Sequence, residues 1–281
     1  GIVLRLVWVI LFPAAPSSDG ATYIALANKL LDEGSFEVAG TYAYWPPGYP
    51  LFLMVWLFAL PTVIAVPLSQ ITLYIVGAIG VFRLTKHIAS KSAGIVALLL
   101  ITIWPNLIAL SSTPEKEVLI FALLPWLFFW VLRGSSKGAI FAGISLGLTV
   151  LAQPSLQLLI PALALVLIIR NGLKSIPNAV LLIIGAFLVI APWSIRNFQV
   201  LGEFKLVATN GGYVLYRANN PLATGGYTER GEVDLSKLNE LDLDRKSKEL
   251  AVRWIRENPA KFAHLAVEKQ IRFMGDDAVG I

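Results

Sequence analysis

The chain has 281 residues, of which 56% are hydrophobic and only 15% are charged, and its mean hydropathy is +0.70. Soluble domains carry about a quarter charged residues, so this composition excludes an ordinary soluble domain and predicts an integral membrane protein. The net charge of +5 does not indicate nucleic-acid binding, because Lys and Arg flank apolar runs and form no basic stripe. The absence of cysteine excludes disulfides, thiolate nucleophiles and cysteine-based metal sites.

Apolar runs follow one another along the chain, separated by charged residues or by Pro and Gly, and they predict membrane helices. They are 2–12, 51–60, 66–82, 93–110, 118–132, 139–152, 156–169 and 178–192. We interpret the first run as the remnant of a first spanning helix. Because no Met precedes it and the chain stops abruptly at Ile281, the sequence predicts a fragment of a longer protein.

Basic residues collect in three loops between the later runs, and the positive-inside rule predicts that these loops face the cytoplasm. The loops carry Arg83, Lys86 and Lys91, then Arg133 and Lys137, then Arg170 and Lys174. If the short run 51–60 crossed the membrane, every later basic loop would change sides. We therefore predict that this run dips into the outer leaflet and returns, which leaves seven crossings.

This topology places outer loop 1 (15–50), outer loop 2 (111–117) and the tail outside the cytoplasm. The sequence thus predicts an all-α integral membrane protein, with a transmembrane domain over 1–193 and an extracytoplasmic region over 194–281. Within that region, residues 241–273 have apolar side chains at helical spacing, which predicts polar helices. An exposed cap and a substrate-contacting role both stay open for the region.

Outer loop 1 begins with Asp19, which follows two serines and precedes a helical pattern. The residues that share the apolar face of this predicted helix are Tyr23, Leu26, Ala27, Leu30 and Leu31. Gly34 ends the pattern, and charged residues occupy the opposite face, so we predict a juxtamembrane helix on the membrane surface. Either Ser18 or Asp19 is the N-cap of this helix, an interaction worth about 1 kcal/mol, or the Asp19 carboxylate takes part in the chemistry of the protein.

Outer loop 1 ends in Trp45-Pro46-Pro47-Gly48-Tyr49-Pro50. Proline fixes its own φ and restricts the residue before it, so this segment predicts a rigid re-entry into the membrane. Its aromatic rings suit the depth of the membrane interface. Anchoring alone would explain the rings but would not explain so constrained a backbone.

Outer loop 2 carries Glu115 and Glu117 at the start of an apolar helix. Residues two apart point to different sides of a helix, so we expect at most one of them to face a site beside Asp19. Stabilisation of the helix N-terminus, worth about 0.3 to 1 kcal/mol, is the alternative explanation. A carboxylate near hydrocarbon is costly, which favours a functional role for the one that faces inward.

Arg196 lies beyond the last apolar run and is an exception to the positive-inside pattern. It is explained either by snorkelling to lipid headgroups or by contact with a phosphate, which a planar guanidinium suits. Lys269 and Arg272 are further cations of the tail that suit the same role. His87 and His264 have no metal-ligand neighbours in the sequence, and we interpret both as structural.

Several of these motifs occur together in one family. They are Ser18-Asp19 with Tyr23 and Ala27, Pro46-Pro47-Gly48-Tyr49-Pro50, Trp104-Pro105 followed by Glu117, Pro192-Trp193 with Arg196-Asn197, Asn210-Gly211-Gly212 and Asn219-Asn220-Pro221. In their order and placement the chain resembles the GT-C superfamily of polytopic glycosyltransferases, in particular enzymes of the protein O-mannosyltransferase and aminoarabinose-transferase type. The resemblance implies a GT-C-type helix bundle in the plasma (inner) membrane, with an extracytoplasmic active face.

The resemblance also implies a reaction, in which a sugar moves from a polyprenyl-phosphate or polyprenyl-diphosphate donor in the membrane lipid to a protein, lipid or glycan acceptor. It implies that Asp19 is a general base or a metal ligand, and that Glu117, a better match than Glu115, orients the acceptor or a divalent metal. The substrate-binding candidates are Tyr23, Tyr49, Arg196, Asn197, Lys269 and Arg272.

Two other functions compete with glycosyl transfer. A carrier or flippase would place charges inside its spans and would often show inverted repeats with broken helices. We identify no charge buried within the predicted spans and no internal repeat, which disfavours a carrier. A non-catalytic membrane subunit stays open.

Overall fold

The structure of the chain, a computed structural model, describes residues 1–226, 231 and 233–275. Helix accounts for 76% of the described residues, which form thirteen α-helices and no strand. The predicted class, an all-α membrane protein, is confirmed. Residues 227–230, 232 and 276–281 of the predicted tail lie outside the described part.

The helices follow the predicted apolar runs closely. They are α1 (Ile2–Leu11), α2 (Ser18–Glu33), α3 (Gly48–Leu57), α4 (Thr62–Ile88), α5 (Lys91–Thr102), α6 (Pro105–Ala109), α7 (Lys116–Arg133), α8 (Ser136–Ala152), α9 (Leu159–Asn171), α10 (Ile176–Leu201), α11 (Gly211–Ala218), α12 (Glu240–Glu257) and α13 (Pro259–Gly275). Two short 3₁₀ helices, Pro154–Leu158 and Leu173–Ser175, precede α9 and α10.

Two predicted boundaries were wrong. Run 93–110 is broken into α5 and α6 at Trp104, since Pro105 cannot continue the first helix and instead begins the second. Helix α3 begins at Gly48, so Tyr49 and Pro50 belong to its first turn. Proline is tolerated there because the first N–H groups of a helix have no intrahelical acceptor.

Three helical segments within the described residues are long and apolar enough to cross a membrane: Thr62–Ile88, Pro154–Asn171 and Leu173–Leu201. The four other predicted crossings, α1, α5 with α6, α7 and α8, are shorter or carry more charge, and for them crossing stays a prediction. Helix α3 has 10 residues and is about 15 Å long, half the hydrocarbon thickness. That length agrees with the prediction that run 51–60 does not cross.

The chain divides into two compact units. The first contains Gly1–Gly40 and Pro46–Val207, and the second contains Thr41–Trp45 and the described part of Ala208–Ile281. The domain boundary was predicted after residue 193, but α10 continues to Leu201 without a break. In the first unit α8 and α10 approach to backbone contact: a Cβ on Gly143 would lie 2.2 Å from the carbonyl oxygen of Leu182. Small residues of this kind let membrane helices pack closely.

The second unit has its own small core. Tyr216 of α11, Leu235 and Ala251 of α12 are buried together. At the start of α12, the Glu240 carboxylate accepts hydrogen bonds from the backbone N–H groups of Tyr42 and Ala43. This unit therefore includes a short piece of outer loop 1.

Arg5 contradicts the prediction that no charge is buried within the apolar runs. The side chain lies in α1 and is 0% exposed. Its guanidinium donates to the carbonyl oxygens of Ile101 (3.4 Å) and Thr102 (3.3 Å) and lies 3.2 Å above the centre of the Tyr74 ring. The last carbonyls of α5 are the negative end of a helix dipole, so Arg5 caps α5. A single Arg in an otherwise apolar run gave no sign of this partner.

Candidate functional site

Asp19 lies in the first turn of α2 and is exposed. The N-cap of this helix is Ser17, whose side chain makes no capping hydrogen bond, so the explanation of Ser18 or Asp19 as N-cap was wrong. Ser18 has a positive φ of 48°, an uncommon conformation for a residue with a side chain. The chain therefore turns sharply into the helix just before Asp19. Capping does not explain the position of this carboxylate.

Three of the five residues on the predicted apolar face of α2 are buried, and Leu30 and Leu31 are half-buried. Tyr23, Ile24, Leu26 and Ala27 are all buried, and the helix ends at Gly34 with the left-handed φ of 65° that a helix C-cap favours. The Tyr23 ring packs edge-to-face against the Tyr49 ring of α3, with 5.3 Å between centroids. Both tyrosine side chains are 1% exposed, so these two predicted substrate-binding residues pack in the interface between α2 and α3.

The turn Thr113–Glu115, which precedes α7, is held between two other helices. On one side it meets Gly20 of α2, where a Cβ would lie 2.8 Å from Cγ of Pro114. On the other side the Gln70 amide of α4 donates to the carbonyl oxygens of Thr113 (2.5 Å) and Glu115 (3.2 Å). Because Asp19 is the neighbour of Gly20, this packing brings the starts of α2 and α7 together.

Glu115 is the N-cap residue of α7 and has extended backbone, with φ −115° and ψ 131°. Its side chain makes no capping hydrogen bond and is half-buried, whereas Glu117, in the first turn, is exposed. We expected at most one of these two carboxylates to face the site, because residues two apart point to different sides of a helix. That rule does not apply here, because Glu115 precedes the helix. Both carboxylates act electrostatically on Tyr23, as Asp19 does.

The neighbouring carboxylates change the titration of Glu115. Burial, then the negative charges of Glu117 and Asp19, raise the pKa of Glu115 to about 7, and Lys116 opposes this weakly. Burial and the same three carboxylates also raise the pKa of the Tyr23 hydroxyl. Glu115 can therefore hold or release a proton near neutral pH, which is what general acid–base chemistry requires.

No ion pair or side-chain hydrogen bond to Asp19, Glu115 or Glu117 occurs within the described residues. We call these three groups the carboxylate cluster. Among the same residues, no three Asp, Glu or His side chains approach closely enough to hold a metal ion. A carboxyl group that titrates near neutral pH, as Glu115 does, fits proton transfer.

The proline-rich segment packs against the end of α8. Pro46 and Pro47 are buried, and a Cβ on Gly48 would lie 2.5 Å from the backbone nitrogen of Ala152, at the end of α8. Only glycine permits this approach. Since Tyr49 follows Gly48 directly, the contact fixes the position of the ring that packs against Tyr23, and a rigid re-entry into the membrane stays a prediction.

Arg196 and Asn197 lie near the end of α10. The Arg196 guanidinium donates to the carbonyl oxygen of Phe36 (2.8 Å) and lies over the Trp193 ring, 4.9 Å from its centroid. Asn197 is 0% exposed and donates to the carbonyl oxygens of Lys205 (3.2 Å) and Val207 (3.0 Å). These contacts tie together the ends of α2 and α10, and a role in substrate binding stays a prediction for both residues.

Lys269 and Arg272 belong to α13 of the second unit. The Lys269 ammonium donates to the carbonyl oxygen of Ala218 (2.7 Å) and to Oδ1 of Asn219 (3.0 Å), and burial lowers its pKa. Arg272 is exposed. A phosphate contact stays a prediction for both cations.

Sequence reasoning missed Gly20 and Gln70, the two residues that hold the turn Thr113–Glu115. Glycine permits close approach of another segment to the backbone, so a glycine in the first turn of the predicted helix was a usable signal for Gly20. Gln70 lies in a long apolar run, and nothing in its spacing indicates what its amide contacts.

A sequence model of the family described as dolichyl-phosphate-mannose-protein mannosyltransferase matches residues 46–195, just over half of the chain. The matched range contains Tyr49, Glu115 and Glu117, but Asp19 and Arg196 lie outside it. No curated protein and no solved structure matches the chain.

Proposed function

We infer the function from one premise: the chain belongs to the dolichyl-phosphate-mannose-protein mannosyltransferase family. It is a membrane glycosyltransferase of the GT-C type. We propose that it transfers a sugar from a polyprenyl-phosphate or polyprenyl-diphosphate donor to an acceptor outside the cytoplasm. The family description names mannose as the sugar and a protein as the acceptor, and we propose these as the first substrates to test.

The observation that carries the proposal is the carboxylate cluster. Asp19, Glu115 and Glu117 come from two separate segments, act electrostatically on a buried tyrosine and form no ion pair within the described residues. Stability alone does not favour such an arrangement, since like charges repel and burial disfavours the charged form. Perturbed carboxylates of this kind are typical of catalytic sites.

We propose a single displacement at the anomeric carbon of the sugar. Asp19 takes the proton from the acceptor hydroxyl, whose oxygen forms the new bond to that carbon. The bond between the same carbon and the phosphate oxygen breaks, and the lipid phosphate leaves with the electron pair. One displacement inverts the anomeric configuration. Glu117 orients the acceptor, and Glu115, half-buried beside both, holds a proton near neutral pH.

The leaving phosphate requires positive charge, for which a guanidinium is well suited. We propose Arg196 for this contact, with Asn197 beside it and with Lys269 and Arg272 as further candidates. The Arg196 side chain is half-buried and lies among aromatic rings, where a charge-assisted hydrogen bond is stronger than in water. We also propose that the protein lies in the plasma (inner) membrane. The carboxylate cluster would then face outside the cytoplasm, as the basic loops predict.

Asp19→Asn in the full-length protein tests the proposal, with Asp32→Asn as the matched control. Both residues are exposed aspartates of α2, but Asp32 lies at its other end. Transfer of radiolabelled mannose from polyprenyl-phosphate-mannose to a serine- and threonine-containing peptide is measured in proteoliposomes. We expect Asp19→Asn to lower kcat by about 10²- to 10⁴-fold, the usual contribution of a general base, while Asp32→Asn retains activity.

Unchanged transfer by a well-expressed Asp19→Asn variant would overturn the catalytic assignment. Movement of the intact lipid-linked sugar across the bilayer, without transfer to the peptide, would favour the carrier instead. Repetition with the diphosphate-linked donor separates the two donor classes.

A further inference from the structure

Gln70 is a buried polar residue in α4, the helix that packs beside the turn Thr113–Glu115. The side chain is 1% exposed, and its Nε2 group donates to the carbonyl oxygens of both Thr113 and Glu115. Carbonyl oxygens only accept hydrogen bonds. The end of the Gln70 amide that faces these two oxygens must therefore be the NH₂ group.

The Gln70 amide is one of several restraints on the turn Thr113–Glu115. Within the turn, the backbone N–H of Glu115 donates to the carbonyl oxygen of Thr113 (3.0 Å), the same oxygen that accepts from Gln70. Pro114 has no N–H to offer. On the other side of the turn, Pro114 packs against Gly20. Gln70 and Gly20 together therefore determine where the Glu115 carboxylate lies relative to Asp19.

The other end of the Gln70 amide indicates that the residue does more than fill space. Its Oε1 atom is buried and accepts no hydrogen bond from the described residues. An unpaired buried acceptor is unfavourable for folding, and an apolar side chain of the same length would avoid it. The useful part of Gln70 is thus the pair of N–H groups directed at the turn.

We propose that Gln70 is a positioning residue for sugar transfer, which acts by fixing the turn Thr113–Glu115 so that Glu115 and Glu117 lie beside Asp19. The role in transfer rests on the proposed function, whereas the restraint on the turn does not. Gln70 touches no reacting atom in this account. It acts through the backbone of the residue whose carboxylate joins the cluster.

The test compares Gln70→Met with Gln199→Met in the full-length protein. Met matches Gln in length but offers no N–H, and Gln199 is an exposed residue of α10. Hydrogen exchange of the peptide containing the amides of residues 115–117 reports the order of the turn without any assay of activity. Initial rates with polyprenyl-phosphate-mannose report kcat and KM for the donor.

We expect exchange in this peptide to accelerate by about 10-fold or more in Gln70→Met and to stay unchanged in Gln199→Met. We expect kcat to fall by about 10- to 100-fold while KM for the donor changes less than about 2-fold, because misplacement by about 1 Å slows chemistry without weakening donor binding. The thermal unfolding midpoint should move by less than about 4 °C. Gln70→Asn, which withdraws the amide by one methylene, should behave like Gln70→Met and replaces it if Met prevents folding.

Unchanged exchange in Gln70→Met would overturn the inference, whatever the activity. Faster exchange with unchanged kcat, in a protein that Asp19→Asn inactivates, would also overturn the positioning role while leaving the proposed function intact. If neither Gln70→Met nor Asp19→Asn slows transfer, the proposed function fails, and the role of Gln70 in transfer fails with it.

Discussion

Glu115 and Glu240 are carboxylates at the starts of helices, one in each unit of the chain, and their surroundings are opposite. Glu240 is 8% exposed and accepts hydrogen bonds from the backbone N–H groups of Tyr42 (2.6 Å) and Ala43 (2.8 Å) and from the Thr209 hydroxyl (2.5 Å). The Glu115 side chain is half-buried, and its carboxylate accepts no hydrogen bond from the described residues. Two other carboxylates, Glu117 and Asp19, act on it electrostatically.

The difference separates a structural carboxylate from a functional candidate. A carboxylate removed from water normally receives donors that replace its lost hydration, as Glu240 does. Glu115 receives like charges instead, and burial together with these charges raises the pKa of its carboxyl group. Where a fold leaves such repulsion in place, the group serves binding or chemistry more often than stability. Substitutions at Glu240, Gly20 and Glu115 measure that contrast, and the largest loss of stability is expected at Glu240.

Glu240→Ala should destabilise the protein by about 3 kcal/mol, because it leaves two backbone N–H groups and one hydroxyl without their acceptor. The thermal unfolding midpoint of the purified protein in detergent measures the loss. Glu257→Ala, an exposed substitution at the other end of α12, is the matched control and should change stability by less than about 0.5 kcal/mol. Equal losses in the two variants would mean that the donors around Glu240 contribute nothing specific.

Gly20→Ala should cost about 1 to 3 kcal/mol and lower transfer as well, since the new Cβ would lie 2.8 Å from Cγ of Pro114 and would push apart the starts of α2 and α7. Alanine normally stabilises a helix relative to glycine. The sign of the change is therefore informative, and unfolding midpoints together with transfer rates measure it.

Gly211→Ala provides the control for this substitution, because a Cβ at Gly211 in α11 meets nothing within 4 Å. It should leave stability unchanged or raise it slightly. If Gly20→Ala behaves in the same way, the close packing of α2 against the turn is not a restraint, and the placement of Asp19 needs another explanation.

Periodicity and composition predicted most of the helices, since these depend on local pattern. Helix α2, its buried face from Tyr23 to Ala27 and its end at Gly34 follow from one amphipathic repeat and one glycine. The break at Trp104 was missed although Pro105 was visible, because the apolar character of run 93–110 outweighed the proline. Local rules were therefore sufficient where a single signal decided the outcome.

The candidate site was only partly predictable, because long-range contacts decide which charges receive partners. The sequence indicated Asp19, Glu115 and Glu117. The family resemblance favoured Glu117 over Glu115, and nothing in the sequence could reveal that Glu115 is the half-buried member. That difference depends on Pro114 packing against Gly20 and on the amide of Gln70, which is 43 residues from Thr113 in the chain. Arg5 was missed for the same reason, since its partners are the carbonyls of a helix about a hundred residues away.

The smallest effect concerns the pH dependence of stability. The pKa of Glu115 is raised from its ordinary value to about 7, through burial and the charges of Glu117 and Asp19, with Lys116 acting in the opposite direction. Between these two pKa values the folded protein binds more protons than the unfolded chain, so stability falls as pH rises through this window. Glu115→Gln removes this dependence because glutamine stays neutral.

We expect Glu115→Gln to match the parent protein near pH 5 and to exceed its stability by about 1 kcal/mol at pH 8, after allowance for solvent screening of a half-buried group. Unfolding midpoints measured between pH 5 and pH 8 provide the comparison, with Glu257→Gln as the exposed control. A constant difference across this range would mean that Glu115 titrates as an ordinary carboxyl group. The contrast with Glu240 would then rest on hydrogen bonding alone, because a carboxylate that is ionised at no cost in its folded position has no strained charge to contribute to catalysis.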